Sequence, residues 1–375
     1  MMPHSARGIS HGSQSRDAIL LQDPYSRDDT QKCGSLLPII KEQLIAARQN
    51  NRQIDAFFTK QSIDIDALNN LEDVPYIPVQ MFKHFDLRTC PEQEITKVLQ
   101  SSGTTGSTPS RIPLDKSTSM NQIKALKTIL SDYLGKSRKV FLVIDHEGIN
   151  SPSLAFSART AGVRGLSIYA KKIFYLLKEE DGKLVLNLPV IHDIIENYSQ
   201  EEVYAFGFTY IIWTTFFKQI QKEDIRFSFK DFTLFHSGGW KKMQNLAVSK
   251  EQFSESVAYI FGTQPGTILD FYGMAEQTGI IFVDCREGNK HVPGFSQVII
   301  RDPFTLQPCS TGKPGLIEVM SILADSYYDQ ALLTEDLGVL VGVDDCPCGR
   351  KGRYFRFVSR VEKAEVRGCG DTFRE

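Results

Sequence analysis

The sequence predicts an α/β protein: a layered core followed by a smaller, strand-rich subdomain. Three observations carry this reading. A short strand candidate runs directly into a hydroxyl- and glycine-rich loop and then a helix, strands and helices alternate up to Thr278, and short turn-bounded apolar runs follow. With 375 residues the chain can bury well over half of its extended surface. It is 41% hydrophobic and 23% charged, with a formal net charge of -2. That balance lacks the basic excess of a phosphate-backbone binder, so no nucleic-acid partner is expected.

Residues 1–34 are polar, lack the apolar core of a secretory signal, and are read as a weakly ordered lead-in. Leu36 to Phe58 repeats apolar residues at helical spacing, and Ile63 to Leu71 adds a turn or two. Val74 to Phe82 carries two prolines and is read as an extended connection, so 35–88 forms a helical subregion. The α/β core is placed at 89–278. It opens with a strand at Ile95 to Gln100, then the loop, then a helix capped by Asp115 or Ser117 and running to Tyr133. Further strands are expected at Val140 to Ile144, Gly165 to Tyr169, Val203 to Phe206, Phe232 to Phe235 and Ile268 to Phe271. Helices are expected at Tyr210 to Gln221 and Lys250 to Phe261. The strand-rich subdomain, 279–358, has apolar runs at Gly279 to Val283, Gln297 to Ile300, Leu316 to Ser321, Gly338 to Val343 and Tyr354 to Val358, and 359–375 is a short hinge and tail. The most apolar stretch, Val203 to Phe217, is interrupted by Gly207 and too short for a bilayer, so no transmembrane segment is expected. Seven cysteines, an odd number without an export signal, fit reduced thiols in a cytoplasmic protein.

Several segments can carry chemistry. In Ser101 to Thr108, two glycines allow a tight turn while hydroxyls and amide N–H groups can surround phosphate oxygens. It lacks the Lys-Ser/Thr closure of a Walker P-loop, and a polar surface turn is the alternative. In DFYGMAEQTG (270–279), Tyr272 and Glu276 follow a strand, where open α/β folds place ligands. The ring suits a base and the carboxylate suits magnesium; core packing and a solvated acid are the alternatives. Asp336 in LTEDLG is either a turn carboxylate or an acceptor for ribose hydroxyls. In HSGGWKK (236–242), Gly238 and Gly239 allow close approach of a substrate, or simply a tight turn. Cys285, His291, Cys346 and Cys348 offer thiolate and imidazole ligands for a tetrahedral Zn2+, with Cys309 as a substitute; unliganded reduced cysteines are the alternative. A hydrolase reading is poor, because Ser237 sits in no G-x-S-x-G elbow and neither His146 nor His192 has a placed partner.

Taken in order, SSGTTGSTP, YGMAE, LTEDLG and the Arg360-containing SRVEKAEVRG resemble the motif set of the adenylate-forming ligases. Together with HSGGWKK, IIRDP, CPCGRKG and AEVRGCGD they are most similar to the acyl-protein synthetases of bacterial bioluminescence, the LuxE-like branch, from about Glu94 onward. The resemblance implies an adenylate-forming ligase-like large domain and a reaction using ATP and Mg2+. It implies that Ser102, Gly103, Thr104, Thr105, Gly106 and Thr108 line the phosphates, Gly238 and Gly239 the nucleotide or acyl wall, and Tyr272 the adenine. Glu276 would bind Mg2+, Asp336 the ribose, and Arg360 the nucleotide at the hinge. Cys369 would accept the acyl group as a thioester, for delivery to an acyl reductase, with an acyltransferase as a further partner.

Two departures are visible. Where the superfamily often has lysine after the loop proline, this chain has Ser110 and Arg111, and a guanidinium fork differs from an ammonium. The sequence given ends at Glu375, which leaves no room after Arg360 for the full C-terminal lid, so catalysis by a distal lysine is not expected. The leading expectation is therefore a long-chain fatty acid ligase acting on its own cysteine. The alternatives are a ligase that releases the acyl group to coenzyme A or another free acceptor, and a nucleotide-binding protein without turnover.

Overall fold

A computed structural model describes residues 11–100, 109–150, 158–239 and 247–361. Its centre is a parallel sheet in the spatial order Ala170–Tyr175, Lys139–Val143, Glu202–Phe208, Asp231–Ser237 and Ile268–Tyr272, with Phe282–Val283 added antiparallel at one edge. Alternate side chains of the inner strands enter different cores. Phe141, Val143, Tyr204 and Phe206 join one, while Val140, Leu142, Val203 and Ala205 join the other. That is the period of two expected of strands covered on both faces, and it explains why they read as continuous apolar runs.

The second sheet is antiparallel, in the order Lys290–His291, Arg353–Arg360, Ala331–Val343, Pro314–Ser321 and Ser296–Arg301. Ile77–Pro78 lies parallel to Leu332 and Leu333 at its middle strand. Val298, Val319, Tyr327 and Phe355 belong to the same apolar cluster as Phe141 and Phe206, so the two sheets share a core.

The expected helices have physical boundaries. Lys116–Leu134 starts where the Asp115 carboxylate accepts the Thr118 N–H at 2.7 Å, and Lys250–Phe261 starts at a Ser249 cap and ends at left-handed Gly262. The helical stretch expected from Leu36 to Phe58 is two helices, Asp29–Asn50 and Arg52–Lys60. The Asn51 side chain accepts from the Gln53 and Ile54 amides and restarts the second.

Other expectations are corrected. The lead-in contains a helix, His11–Leu21, and the start of the next, with Ile19, Leu20 and Tyr25 buried, so weak order does not describe residues 16–34. Gly165 to Tyr169 is not a strand: it ends the helix Ala158–Leu166 and continues as the 3-10 turn Ser167–Tyr169. The strand is Ala170–Tyr175, whose edge position leaves Lys171 and Lys172 exposed and so hides its apolar alternation. Ile63 to Leu71 forms no α-helix; a 3-10 turn begins only at Leu71. Arg111–Asp115 is an unexpected strand that pairs antiparallel with Ile95–Gln100, in spite of Pro113. The aromatic run from Phe206 to Phe217 fills the cores, with a π-helical turn at Ile212–Phe217.

Candidate active site

The parallel strands Glu202–Phe208, Asp231–Ser237 and Ile268–Tyr272 all point their carboxyl ends to the same edge of the sheet. In open α/β sheets this is the edge where ligands bind. Gly238 leaves the second of these strands with φ +74°, and a Cβ there would fall 2.6 Å from the Phe208 ring. Glycine is therefore required at 238 both for backbone conformation and for space. Gly239 has open space around it.

Tyr272 ends the third strand. Its hydroxyl donates to Asp336 Oδ2 at 2.8 Å, a hydrogen bond that bridges the two sheets. Burial and the adjacent Asp336 carboxylate hold the phenol pKa well above its ordinary value, so it remains a donor at neutral pH. The ring is offset-stacked on Phe357 and edge-on to Phe355. Asp336 is buried inside the long strand Ala331–Val343, not in a turn, and faces Arg360 directly across the antiparallel ladder. Arg360 Nε donates to Asp336 Oδ1 at 3.1 Å while most of its side chain stays in solvent. Both carboxylate oxygens thus have a donor, and Arg360 is the exposed one.

Glu276 lies in the 3-10 turn Ala275–Gln277 and is only 7% exposed. Among the described residues no hydrogen bond or ion pair holds its carboxylate; its backbone carbonyl accepts from Tyr327 Oη at 3.0 Å. A near-buried carboxylate of this kind fits a cation. The turn closes at Gly279, φ +96°, where a Cβ would lie 2.6 Å from Gln122 Cα. That close approach seats the Glu276 turn on the helix that follows the loop hairpin. The hairpin holds the two ends of the loop together, Gln100 opposite an exposed Arg111. The loop positions Ser102, Gly103, Thr104, Thr105, Gly106 and Thr108, and also Cys369, lie outside the described residues.

Sequence reasoning missed a charged layer beside Tyr272. Lys290 Nζ, buried, donates to Asp270 Oδ2 at 2.7 Å and Asp284 Oδ1 at 3.1 Å, and Lys250 pairs with Asp284 at 2.6 Å. Burial works against the Lys290 charge, yet the two carboxylates outweigh it and raise its pKa. His236, one residue before Ser237, is buried with Nδ1 3.0 Å from Thr209 Oγ1. Burial pushes its pKa down to about 4 against the opposing pull of Asp270, so it is neutral at pH 7. At the exit of Lys139–Val143, buried Asp145 is bound by Arg159 Nε at 2.9 Å. The available signal was a charge inside an otherwise apolar strand, as at Asp270 in Ile268–Tyr272.

The remaining sequence candidates form a separate group. Cys285, His291, Cys346 and Cys348 come together, with their ligand atoms within 4.8 Å of one another. Glu276 is not part of that group. Neither is Cys309, whose sulfur faces the Pro314 carbonyl at 3.8 Å.

Comparison with known proteins gives a consistent picture. The family model described as "Acyl-protein synthetase, LuxE" matches residues 1–375. A long-chain-fatty-acid--luciferin-component ligase of Aliivibrio fischeri is 21% identical over 371 residues, covering 96% of this chain and 93% of that protein. Its counterpart from Vibrio harveyi is 24% identical over 310 residues, 81% of this chain and 78% of that protein. In fold, the chain is similar to an open conformation of 2-hydroxyisobutyryl-CoA ligase in complex with 2-HIB-AMP and CoA, with a TM-score of 0.67 and 14% identity over 90% of this chain and 77% of that one. In the thioesterification state of the same ligase the TM-score is 0.66. The fold is therefore that of the adenylate-forming ligases, and no described helix is long and apolar enough to cross a membrane.

Proposed function

Because the chain belongs to the acyl-protein synthetase LuxE family, we propose that it activates a long-chain fatty acid with ATP and transfers the acyl group to its own Cys369. The observation that carries this reading is Asp336, held between Tyr272 and Arg360 where the two sheets meet. A buried carboxylate with preset geometry suits the vicinal hydroxyls of a ribose, and the Tyr272 ring beside it suits adenine. Arg360, mostly in solvent beside Asp336, would meet the nucleotide.

The loop Ser101 to Thr108, including Ser102, Thr104, Thr105 and Thr108, receives the phosphates. Glu276 would hold Mg2+, which neutralises charge on the phosphate oxygens. Gly238 and Gly239 leave room at the strand exit for the acyl carboxylate. A carboxylate oxygen of the acid attacks the α-phosphorus, a new O–P bond forms, the bond to the β-phosphate oxygen breaks, and pyrophosphate leaves. The thiolate of Cys369 then attacks the acyl carbon; a thioester forms, AMP leaves, and the acyl chain is ready for an acyl reductase.

The test is covalent labelling. Wild-type chain with ATP and radiolabelled long-chain fatty acid is expected to retain thioester label that hydroxylamine removes. Cys369→Ala is expected to lose the label but keep acid-dependent ATP–pyrophosphate exchange. Equal labelling of mutant and wild type would overturn the role of Cys369. The structural likeness to a ligase solved with CoA supports a second reading, release to a free thiol, which predicts a soluble acyl-thioester and no protein label.

A further inference from the structure

We propose that Cys285, His291, Cys346 and Cys348 bind one structural Zn2+ that clasps the outer corner of the antiparallel sheet. The proposal stands on geometry and is independent of the reaction above. Cys285 Sγ lies 3.9 Å from Cys346 Sγ, and Cys348 Sγ lies 3.3 Å from His291 Nε2. A tetrahedral zinc with Zn–S of about 2.3 Å and Zn–N of about 2.0 Å places its ligand atoms about 3.5–3.8 Å apart. The sulfur pair is far too distant for a disulfide and at the separation of two ligands sharing an ion.

The ligands are delivered as metal clasps require. Two tight turns present the cysteines: Gly288 N–H donates to the Cys285 carbonyl at 2.8 Å, and Gly349 N–H to the Cys346 carbonyl at 2.9 Å. Both glycines have positive φ, +69° and +91°. His291 comes from the Lys290–His291 strand, fully buried, its ring stacked on Tyr354 and edge-on to Tyr25. Outer groups support the inner ones. Asn289 Nδ2 lies 3.8 Å from Cys346 Sγ, and its Oδ1 accepts from Arg356 Nε at 2.9 Å. Three thiolates and a neutral imidazole on Zn2+ leave one net negative charge, and Arg286, Arg350 and Arg356 belong to these segments.

Apolar packing does not explain the arrangement. The local cluster has three buried members, Cys285, Cys346 and Tyr354, apart from the main core. Cys285 and Cys346 come from separate turns, with their sulfurs 3.9 Å apart. An ion converts them into strong ligands and joins the turn at 285–291 to the turn at 346–349. It also fixes Lys290, next to His291, whose ammonium pairs with Asp270 two residues before Tyr272. All four ligand positions are protein groups, which marks a closed structural site and not a catalytic one.

The experiment is metal analysis of the full chain expressed with supplemental zinc, followed by cobalt substitution. The proposal expects one zinc per chain in wild type and in Cys309→Ser, and less than about a tenth of that in Cys346→Ser/Cys348→Ser. Co2+-loaded wild type is expected to show intense visible bands of tetrahedral cobalt with near-ultraviolet thiolate-to-cobalt charge transfer. Folded wild type without stoichiometric zinc, or a cobalt spectrum without thiolate charge transfer, would overturn it. So would loss of zinc from Cys309→Ser alone. If the double variant does not fold, the wild-type cobalt spectrum decides.

Discussion

The stretch over which the strands Ala331–Val343 and Arg353–Arg360 pair has a group of polar side chains at each end. At one end Asp336 faces Arg360 across the ladder and reaches Tyr272 on the other sheet. At the other end, Val343 opposite Arg353 leads into the turn bearing Cys346 and Cys348. The first group reaches solvent: the Arg360 side chain is 74% exposed. The second is closed, with His291 at 0% exposure and four ligand atoms turned toward each other. A solvated arm suits a site that would admit and release a ligand, whereas inward-facing protein groups suit one that would hold shape.

The comparison breaks most visibly through the clasp. Cys346→Ser/Cys348→Ser is expected to lower the midpoint of thermal unfolding by about 10 °C or more by calorimetry, since metal binding free energy is folding free energy. Asp336→Asn strikes the open end. It is expected to cut kcat/KM for ATP in pyrophosphate exchange about 100-fold, with zinc content unchanged, because a charge-assisted acceptor becomes a neutral one. Loss of zinc in Asp336→Asn would show that the two ends are not separable.

Between the ends lies the layer of His236, Asp270 and Lys290, and pH tests it. Unfolded histidine takes a proton near pH 6.5, whereas burial holds folded His236 neutral down to about 4. Its contribution is therefore fully present above about pH 6.5 and lost as pH falls toward 4, costing about 2 kcal/mol by pH 4.5. Urea denaturation of His236→Gln is expected to show a flatter dependence over that window. The smallest effect is expected of Tyr272→Phe, which keeps the ring on Phe357 and removes one hydrogen bond to Asp336. Exchange is expected to fall about tenfold, measured as kcat/KM for ATP.

Much of this was legible in sequence because the signals were local. Asp115 caps its helix locally, and the runs at Val203 to Phe206 and Phe232 to Phe235, covered on both faces, read as continuous apolar stretches. Order along the chain puts Tyr272 and Asp336 in one motif set, and in the structure a hydrogen bond joins their side chains. What sequence hid was tertiary. Ala170–Tyr175 looks polar because it is an edge strand, and Asp336 looked like a turn residue because its strand begins before the apolar run at Gly338. His11–Leu21 reads as a polar lead-in, although its last turn buries Ile19 and Leu20. The role of Lys290 appears only when Asp270 and Asp284, from other parts of the chain, are brought to it.

Acid-dependent ATP–pyrophosphate exchange by the wild-type chain tests the central claim most directly. The account predicts that labelled pyrophosphate enters ATP when a long-chain fatty acid and Mg2+ are present, and that omitting the acid abolishes exchange. Folded protein that shows no exchange across a series of short- to long-chain carboxylic acids, or the same exchange with and without acid, would contradict it.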